Sequence, residues 1–338
     1  MVTSQLDPLE DVTCWIEGLT SANYVKDLLK SKHNITTNIN IRQRSETIAD
    51  LVGISCKYLE QARKGPEEVS FLPLYYACLN LIKCYIIVGP YSSLLAQNRL
   101  HGISYDPNKD FKSLDEDIIQ FQKRGAIPLF YHTVVGQSMF QNVNPPYSIS
   151  MHDIYPYIVN IGAEYRMATR SKNKLIPFVI TINQQPQHQR IEAAYVGINP
   201  QAFKSVRIRT LQAFKGLKRE NKNSNELISR WYSTTDTTSM MACLRPAMLY
   251  GYRQSQSAEV FNFVPSSTLN IFLPEELPLV CAFYHMSSIV RYNPDGLKKL
   301  ADSKYWPLLL VLRRHGLYKF LLLFWSYMNQ CCTYITPD

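Results

Sequence analysis

The sequence predicts an α+β protein: a mostly α-helical core in which N- and C-terminal helices pack together, with an inserted small antiparallel β-sheet. Three observations support this fold class. Apolar residues recur at helical spacing in both end regions, they alternate with polar residues in the middle region, and glycine is scarce, at 13 of 338 residues. Rossmann and P-loop sites need glycine where backbone approaches phosphate, so the scarcity argues against both.

The N-terminal region begins this pattern with two strong helical segments. Residues 46–63 carry one apolar stripe at helical spacing, with Ser45 as the expected N-cap and Gly65 at the stop. Residues 72–88 are apolar on nearly every side and end at Gly89-Pro90, which predicts a central, buried helix.

A shorter acidic helix is predicted over residues 115–122. Its first residues, Asp115, Glu116 and Asp117, would favour the positive end of the helix dipole rather than a metal ion. Residues 154–167 are interpreted as a further helical stretch, interrupted by Pro156.

The middle region changes to the two-residue period of a strand. In residues 205–211, Arg207 and Arg209 alternate with apolar neighbours, which would put both arginines on one solvated face. The predicted strands cover residues 178–182, 191–198, 205–211, 261–264 and 269–273.

Helical spacing returns over residues 275–292 and 305–327. The resulting division is an N-terminal helical part over residues 1–170, a basic β-rich insertion over residues 171–275 and C-terminal helices over residues 276–338 that complete the helical core.

Charge is concentrated in this middle region. The whole chain has a formal net charge of +9, whereas residues 166–230 alone hold 13 Lys and Arg against Glu192, Glu220 and Glu226. A run of charged residues is ordinarily interpreted as a solvated face. Here nearly all the charges are positive, and because like charges repel one another in a compact state, this excess favours an anionic partner. The candidate nucleic-acid-binding residues are Arg207, Arg209, Lys215, Lys218, Arg219 and Lys222.

Cysteine usage and hydropathy indicate a compartment. The eight cysteines form no Cys-x-x-Cys pair and lie mostly in apolar runs, as in a reducing cytoplasm. The acidic first twenty residues predict no signal peptide. Residues 71–88 and 305–327 are apolar enough to test as membrane spans, but charged residues interrupt both, so we expect core helices and no membrane partner.

Motifs for P-loop, zincin, serine-hydrolase and zinc-finger chemistry are absent from the sequence, which predicts no metal and no cofactor. One polar constellation stands out. Asn80 and Lys83 share a face of an otherwise apolar helix, and packing could bring them together with Glu60 and His101. In a catalytic interpretation His101 would be the acid or base and Lys83 would stabilise charge.

The alternative for this constellation is a structural ion pair of Glu60 with Lys83 or Arg63. Arg291, which follows His285 near the end of a predicted helix, would bond terminal carbonyls or contribute to a site. Arg313, Arg314 and His315 fit either a phosphate site or the wet edge of a core helix.

Several of these segments resemble the bacterial YaaC-like family. The distinctive parts are Leu-Asn-Leu-x-Lys ending at Lys83, the pair His101-Gly102, and Arg-Tyr-x-Pro ending at Pro294. The similar segments are residues 58–63, 72–83, 101–104 and 286–294, within a resemblance that spans about residues 45–330. It supplies an expectation about fold and implies no particular reaction.

A weaker similarity is to HEPN-type helical nucleases, which use Arg-x4–6-His at a dimer interface. Arg124 and His132 are spaced too widely for that motif, and Arg99 and His101 too closely.

The predicted function is binding of nucleic acid or a nucleotide through the basic β-rich segment, with bacterial antiviral defence as the expected context. Two alternatives stay open. One is a HEPN-like nuclease or nucleotide-processing enzyme that uses Glu60, Asn80, Lys83 and His101. The other is a non-catalytic subunit whose basic segment docks an acidic protein.

Overall fold

Two compact units make up the chain: Met1–Thr169 together with Ile271–Asp338, and the intervening Arg170–Asn270. The structure is a computed structural model. It describes residues 2–4, 7–36, 38–98, 100–105, 113–114, 116–170, 176–185, 190–197, 218–219, 226–232, 248–255, 258–263, 271, 273–330 and 335–337. The three-part division into domains stays a prediction, because compactness does not show that a part folds alone.

The first unit is mainly helical, as its sequence periodicity predicts. Its helices, in chain order, are α1 Pro8–Gly18, α2 Ala22–His33, α3 Asn38–Lys64, α4 Phe71–Val88, α5 Ala126–Val135, α6 Gly162–Thr169, α7 Glu276–Tyr292, α8 Pro294–Ala301, α9 Trp306–Val311 and α10 Leu317–Met328. A π-helical turn, Leu312–Gly316, joins α9 to α10.

Helix α4 is the centre of this unit. It packs against α3, α5, α7 and α10. Ser55 of α3 donates a hydrogen bond to the Ala77 carbonyl of α4 at 3.1 Å. Tyr85 packs its ring edge-on against Phe130 of α5. Among the described residues α4 is the one helix long and apolar enough to cross a membrane, but 78% of that stretch is buried inside the unit, as expected of a core helix.

Cysteines in this core behave as small apolar side chains. Cys78 and Cys84 of α4 and Cys281 of α7 are free thiols with no exposed surface. Burial raises the pKa of all three, so they are neutral thiols at physiological pH.

Two small sheets also belong to this unit. β2 (Ile103–Tyr105), β3 (Ile118–Phe121) and β4 (Tyr147–Ser150) form a three-stranded antiparallel sheet in that order. Near the chain ends, β1 (Val2–Ser4) pairs in parallel with β11 (Ile335–Pro337).

The helix predicted over residues 115–122 is wrong, because β3 occupies its second half. Ile119 and Phe121 are buried whereas Ile118 and Gln120 are exposed, which is the two-residue alternation of a strand. Asp117 is buried and lies at no helix start, so it has no part in a helix dipole.

Other predicted boundaries shift. Helix α3 begins before Ser45, which is therefore an interior residue whose hydroxyl donates to the Arg42 carbonyl rather than an N-cap. The stretch around Pro156 forms three short 3₁₀ turns, Met151–Asp153, Tyr155–Tyr157 and Val159–Ile161, before α6 begins. Proline lacks the N–H that a continuous α-helix requires at this place.

The described residues of the second unit form a six-stranded antiparallel sheet, which confirms the inserted sheet of the predicted fold class. Phe178 pairs with Gly197 and Gln185 with Arg190 in its longest hairpin. The strands are β5 Ile176–Gln185, β6 Arg190–Gly197, β7 Lys218–Arg219, β8 Glu226–Tyr232, β9 Met248–Ser255 and β10 Ala258–Phe263, in the spatial order β7-β8-β6-β5-β10-β9.

Candidate functional site

Two helices of the first unit contribute polar residues at matched spacing. On α4, Tyr76, Asn80 and Lys83 are four and then three residues apart, so they share one face. On α7, Tyr284 and Arg291 are separated by two turns and also share a face. Since α4 and α7 pack against each other, these faces come together.

His101 reaches the same place from the segment before β2, where backbone contacts hold it. Its carbonyl accepts a hydrogen bond from the Ile127 N–H at 3.0 Å. Gly102 has a φ of +79°, and a Cβ there would lie 2.5 Å from Cδ of Pro128 and 3.0 Å from Cα of Gly125. Only glycine fits such a conformation and such a close approach, which explains the pair His101-Gly102 physically.

Aromatic rings surround His101. The ring of Tyr75 lies edge-on to the imidazole with centroids 5.5 Å apart, and that of Tyr76 lies edge-on at 6.1 Å. Tyr284 packs edge-on against Tyr75 at 5.1 Å, and Tyr58 of α3 stacks on Tyr76 at 5.6 Å. We call Tyr75, Tyr76, Asn80, Lys83, His101, Tyr284 and Arg291 the His101 cluster.

Two cations belong to this cluster. The Arg291 guanidinium lies 5.9 Å from the Tyr76 ring centroid and donates from Nη1 to the Tyr76 hydroxyl at 3.3 Å. Lys83 Nζ donates to Asn80 Oδ1 at 3.2 Å. Within the described part of the chain neither cation has a carboxylate within 4 Å. The cluster therefore carries uncompensated positive charge.

This positive charge contributes to the lowered pKa of His101. Burial lowers the pKa of His101, and the charges of Arg291 and then Lys83 lower it further, so the imidazole is neutral at pH 7. Burial also lowers the pKa of Lys83. Among the residues that the structure describes, no carboxylate opposes these effects. A bound anion would favour the protonated form of both groups.

Tyr75 carries an unpaired hydroxyl. The residue has no exposed surface, and its phenol oxygen has no hydrogen-bond partner among the described residues. Burial raises the pKa of this phenol well above its ordinary value, so the group is a neutral donor. A buried polar group without a partner costs about 1–3 kcal/mol, which is the kind of deficit that a ligand atom can relieve.

The structure therefore brings together three of the four residues in the predicted catalytic constellation, Asn80, Lys83 and His101, and adds Arg291. Glu60 lies on the exposed side of α3, where it pairs with Lys64 at 2.5 Å. This contact, more than any other, lowers the pKa of Glu60. Arg63 is also exposed and lies 3.9 Å from Glu10. The ion-pair partner of Glu60 is therefore Lys64, and not Lys83 or Arg63 as the sequence predicts.

Arginines near the C-terminus lie in ion pairs, unlike Arg291. Arg313 donates to Glu67 at 2.8 Å and to the Ala62 carbonyl at 3.2 Å. Arg314 contacts Asp7 at 2.6 Å. These contacts favour the wet-edge interpretation of this stretch over a phosphate site.

Sequence reasoning missed a buried polar network beside the cluster. His285 is fully buried, and its Nε2 lies 2.7 Å from Oδ2 of Asp117. Its Nδ1 is 3.4 Å from the Tyr155 hydroxyl, and the Tyr105 hydroxyl donates to Asp117 at 3.2 Å. A histidine in the middle of an apolar helical run was the available signal, since such a group needs a partner.

Most of the six predicted nucleic-acid-binding residues lie in stretches that the structure does not describe. Arg207, Arg209, Lys215 and Lys222 lie outside the described residues. Lys218 and Arg219 form β7 and pair with Ile228 and Leu227. The basic surface therefore stays a prediction. Among the described residues no group of three His, Cys, Asp or Glu side chains is placed to hold a metal ion.

Comparison with known proteins gives one match. The family model described as YaaC-like Protein matches residues 17–328, from α1 to the end of α10. The chain belongs to the YaaC-like family. The matched residues of this YaaC-like chain include the whole His101 cluster and the whole inserted sheet. No curated protein and no solved structure matches it.

Proposed function

We propose that this YaaC-like protein binds a nucleotide, either free or as part of a nucleic-acid strand, at the His101 cluster. The observation that carries the proposal is the pair of cations Lys83 and Arg291. Both act on His101, and neither has a carboxylate partner in the described part of the chain.

The unpaired charge supports an anionic ligand. Lys83 and Arg291 are half-buried, so each has lost part of its hydration without gaining an opposite charge. The fold does supply carboxylates to other cations of the same unit, as it does for Arg313 and Arg314. An anion placed between Lys83 and Arg291 would replace the lost hydration. Phosphate is the common biological anion that arginine and lysine recognise.

The aromatic surfaces support a ligand that also has a flat ring. Tyr76 and Tyr58 are half-buried and stack on each other, and Tyr292 is 55% exposed beside Arg291, whose guanidinium lies 4.9 Å from its ring centroid. Solvent-accessible tyrosines can stack on bases, and cations beside them can bind phosphates. A nucleotide has both groups.

Isothermal titration with the four nucleoside 5′-monophosphates tests the proposal. We expect Arg291→Gln and Lys83→Met each to weaken the tightest of them at least tenfold, because each removes one of the two unpaired cations. Arg63→Gln and Lys57→Met are the matched controls, since both remove exposed cations of α3. Absence of binding to the wild-type protein at millimolar nucleotide, or equal weakening by the controls, would overturn the proposal.

A second function concerns the basic segment. We propose that residues 166–230, with 13 cations against three acids, bind the backbone of a nucleic-acid strand without reading its sequence. The one-signed charge supports this, and the sheet in the same region supplies a framework for it. A defence role and an acidic protein partner stay open predictions.

The salt dependence of oligonucleotide binding tests this second function. For a single-stranded probe, replacing Arg207 and Arg209 by Ala should flatten the slope of log K against log salt by about 1.4, since each phosphate contact contributes about 0.7. Replacing Lys298 and Lys299, exposed on α8, by Ala removes the same charge elsewhere. Equal slopes in the two double variants would exclude these arginines from the interface.

A further inference from the structure

We infer that the His101 cluster selects a terminal phosphate monoester, such as the 5′-phosphate of a nucleotide, over an internal phosphodiester. This inference rests on the proposed nucleotide site and names the chemical group that the site recognises.

The charge of the cluster favours a monoester. Lys83 and Arg291 together supply two positive charges, and no carboxylate of the described residues lies within 4 Å of either. A phosphate monoester carries a charge of about −1.5 to −2 at pH 7, whereas a phosphodiester carries one. Because the cluster is half-buried, residual charge is costly, so a dianion fits two cations better than a monoanion does.

The number of donor side chains in the cluster also favours a terminal phosphate. A terminal phosphate has three free oxygens, and an internal phosphodiester has two. The cluster offers Lys83, Arg291 and, independently of charge, the hydroxyl of Tyr75, which is fully buried and unpaired in the described structure. The ring of Tyr75 contacts that of His101, and the charge of Arg291 acts on its phenol, so the hydroxyl lies within the cluster. The three donor side chains equal in number the three free oxygens of a terminal phosphate.

The ligands that separate these classes differ only at phosphate. Adenosine 5′-monophosphate is a monoester, 3′,5′-cyclic adenosine monophosphate is a diester with the same base and sugar, and adenosine has no phosphate. Titrations at pH 8 keep the monoester fully dianionic. We expect the monoester to bind the wild-type protein at least tenfold more tightly than the cyclic diester.

Variants assign that preference to the cluster. Arg291→Gln should reduce the preference to less than threefold, and Tyr75→Phe should weaken the monoester several-fold while leaving the cyclic diester unchanged. Tyr157→Phe, another buried tyrosine of the same unit, is the matched control. Circular dichroism confirms that each variant is folded.

The source of the phosphate is tested with oligonucleotides that carry either a 5′-phosphate or a 5′-hydroxyl. Preference for the phosphorylated oligonucleotide indicates the end of a strand, and preference for the mononucleotide indicates a free nucleotide; both support the inference. Equal affinity for monoester and cyclic diester would overturn it and leave the proposed function standing. No binding of any nucleotide would overturn both.

Discussion

Two histidines of the helical unit lie in opposite electrostatic environments. His285 is fully buried, with a carboxylate 2.7 Å from one ring nitrogen and a tyrosine hydroxyl 3.4 Å from the other. His101 is half-buried, and the charges that act on it are both positive. The first histidine completes a closed structural network, whereas the second lies in an environment that an anion would complete. The proposed anion site is therefore at His101.

The largest effect should come from breaking the His285 network. Asp117→Ala would leave His285 and Tyr105 without their acceptor in the core, and we expect the free energy of unfolding to fall by about 3 kcal/mol. Urea denaturation measures the loss. Asp50→Ala, which removes an exposed carboxylate of α3, is the control. A loss below 1 kcal/mol would mean that the network does not hold the fold.

Two arginines sharpen the comparison between paired and unpaired charge. Arg291→Gln should weaken nucleotide binding at least tenfold, which corresponds to about 1.4 kcal/mol of binding free energy. It should cost less stability than Arg313→Gln, because both hydrogen bonds of Arg291 are long, at 3.3 Å, and go to neutral acceptors. Arg313→Gln should do the reverse, with about 1 kcal/mol of stability lost and affinity unchanged, because Arg313 is held by Glu67 and Ala62. The same pattern in both variants would contradict the distinction.

The pH dependence of stability tests the environment of His101, which faces Tyr75 and Tyr76 of α4 and the charges of Lys83 and Arg291. Its pKa in the folded protein lies below the unfolded value of 6.5. Below pH 6.5 the unfolded chain binds the proton more readily, so stability is present above that pH and declines as the pH falls.

Urea denaturation at pH 7.5 and 5.5 measures this decline. We expect it to be smaller in His101→Gln, by well under the ~1.4 kcal/mol per pH unit that bounds one group, since solvent screens a half-exposed site. His33, whose pKa burial also lowers, contributes equally to both proteins and cancels. Identical declines would show that His101 is not electrostatically strained.

A smaller effect is expected at Tyr75. Removing an unpaired buried hydroxyl relieves a desolvation cost, so Tyr75→Phe should preserve stability or raise it by about 0.5–1 kcal/mol in the absence of ligand. Tyr155→Phe, which removes a hydroxyl bonded to His285, should lower stability by about 1 kcal/mol. Equal losses in the two variants would indicate that the Tyr75 hydroxyl already has a partner.

The smallest effect is expected at Glu60. Its ion pair with Lys64 is solvent-exposed, so Glu60→Gln should change neither the melting temperature nor nucleotide affinity measurably. A loss of nucleotide binding in this variant would restore Glu60 to the site as the sequence predicts it.

Sequence periodicity predicts an element well where its apolar residues follow a regular pattern. The apolar positions of α4 and α7 predict both helices nearly to the residue. It fails at residues 115–122, because three successive acids resemble a helix start, whereas residues 118–121 pair with β2 and β4 and bury alternate side chains. Long-range pairing of this kind leaves no local pattern.

The candidate site was predicted in part for a similar reason. Asn80 and Lys83 are conspicuous because polar side chains interrupt an apolar helix, and helical spacing alone puts them on one face. The adjacency of α3 and α4 in the chain puts Glu60 in the predicted site, but spacing does not show which side of α3 it occupies. The role of Arg291 depends on how α7 packs on α4.

By itself, the sequence determined the family, the helical ends with an inserted antiparallel sheet, and the concentration of positive charge in residues 166–230. These properties follow from local periodicity and composition. Only the tertiary structure decided which charges are neutralised. It places Asp117 against His285 and Glu67 against Arg313, and among the described residues it leaves Lys83 and Arg291 beside His101 without an acid. Electrostatic pairing is decided by proximity in space, and residues that meet there lie as far apart in the chain as Asp117 and His285.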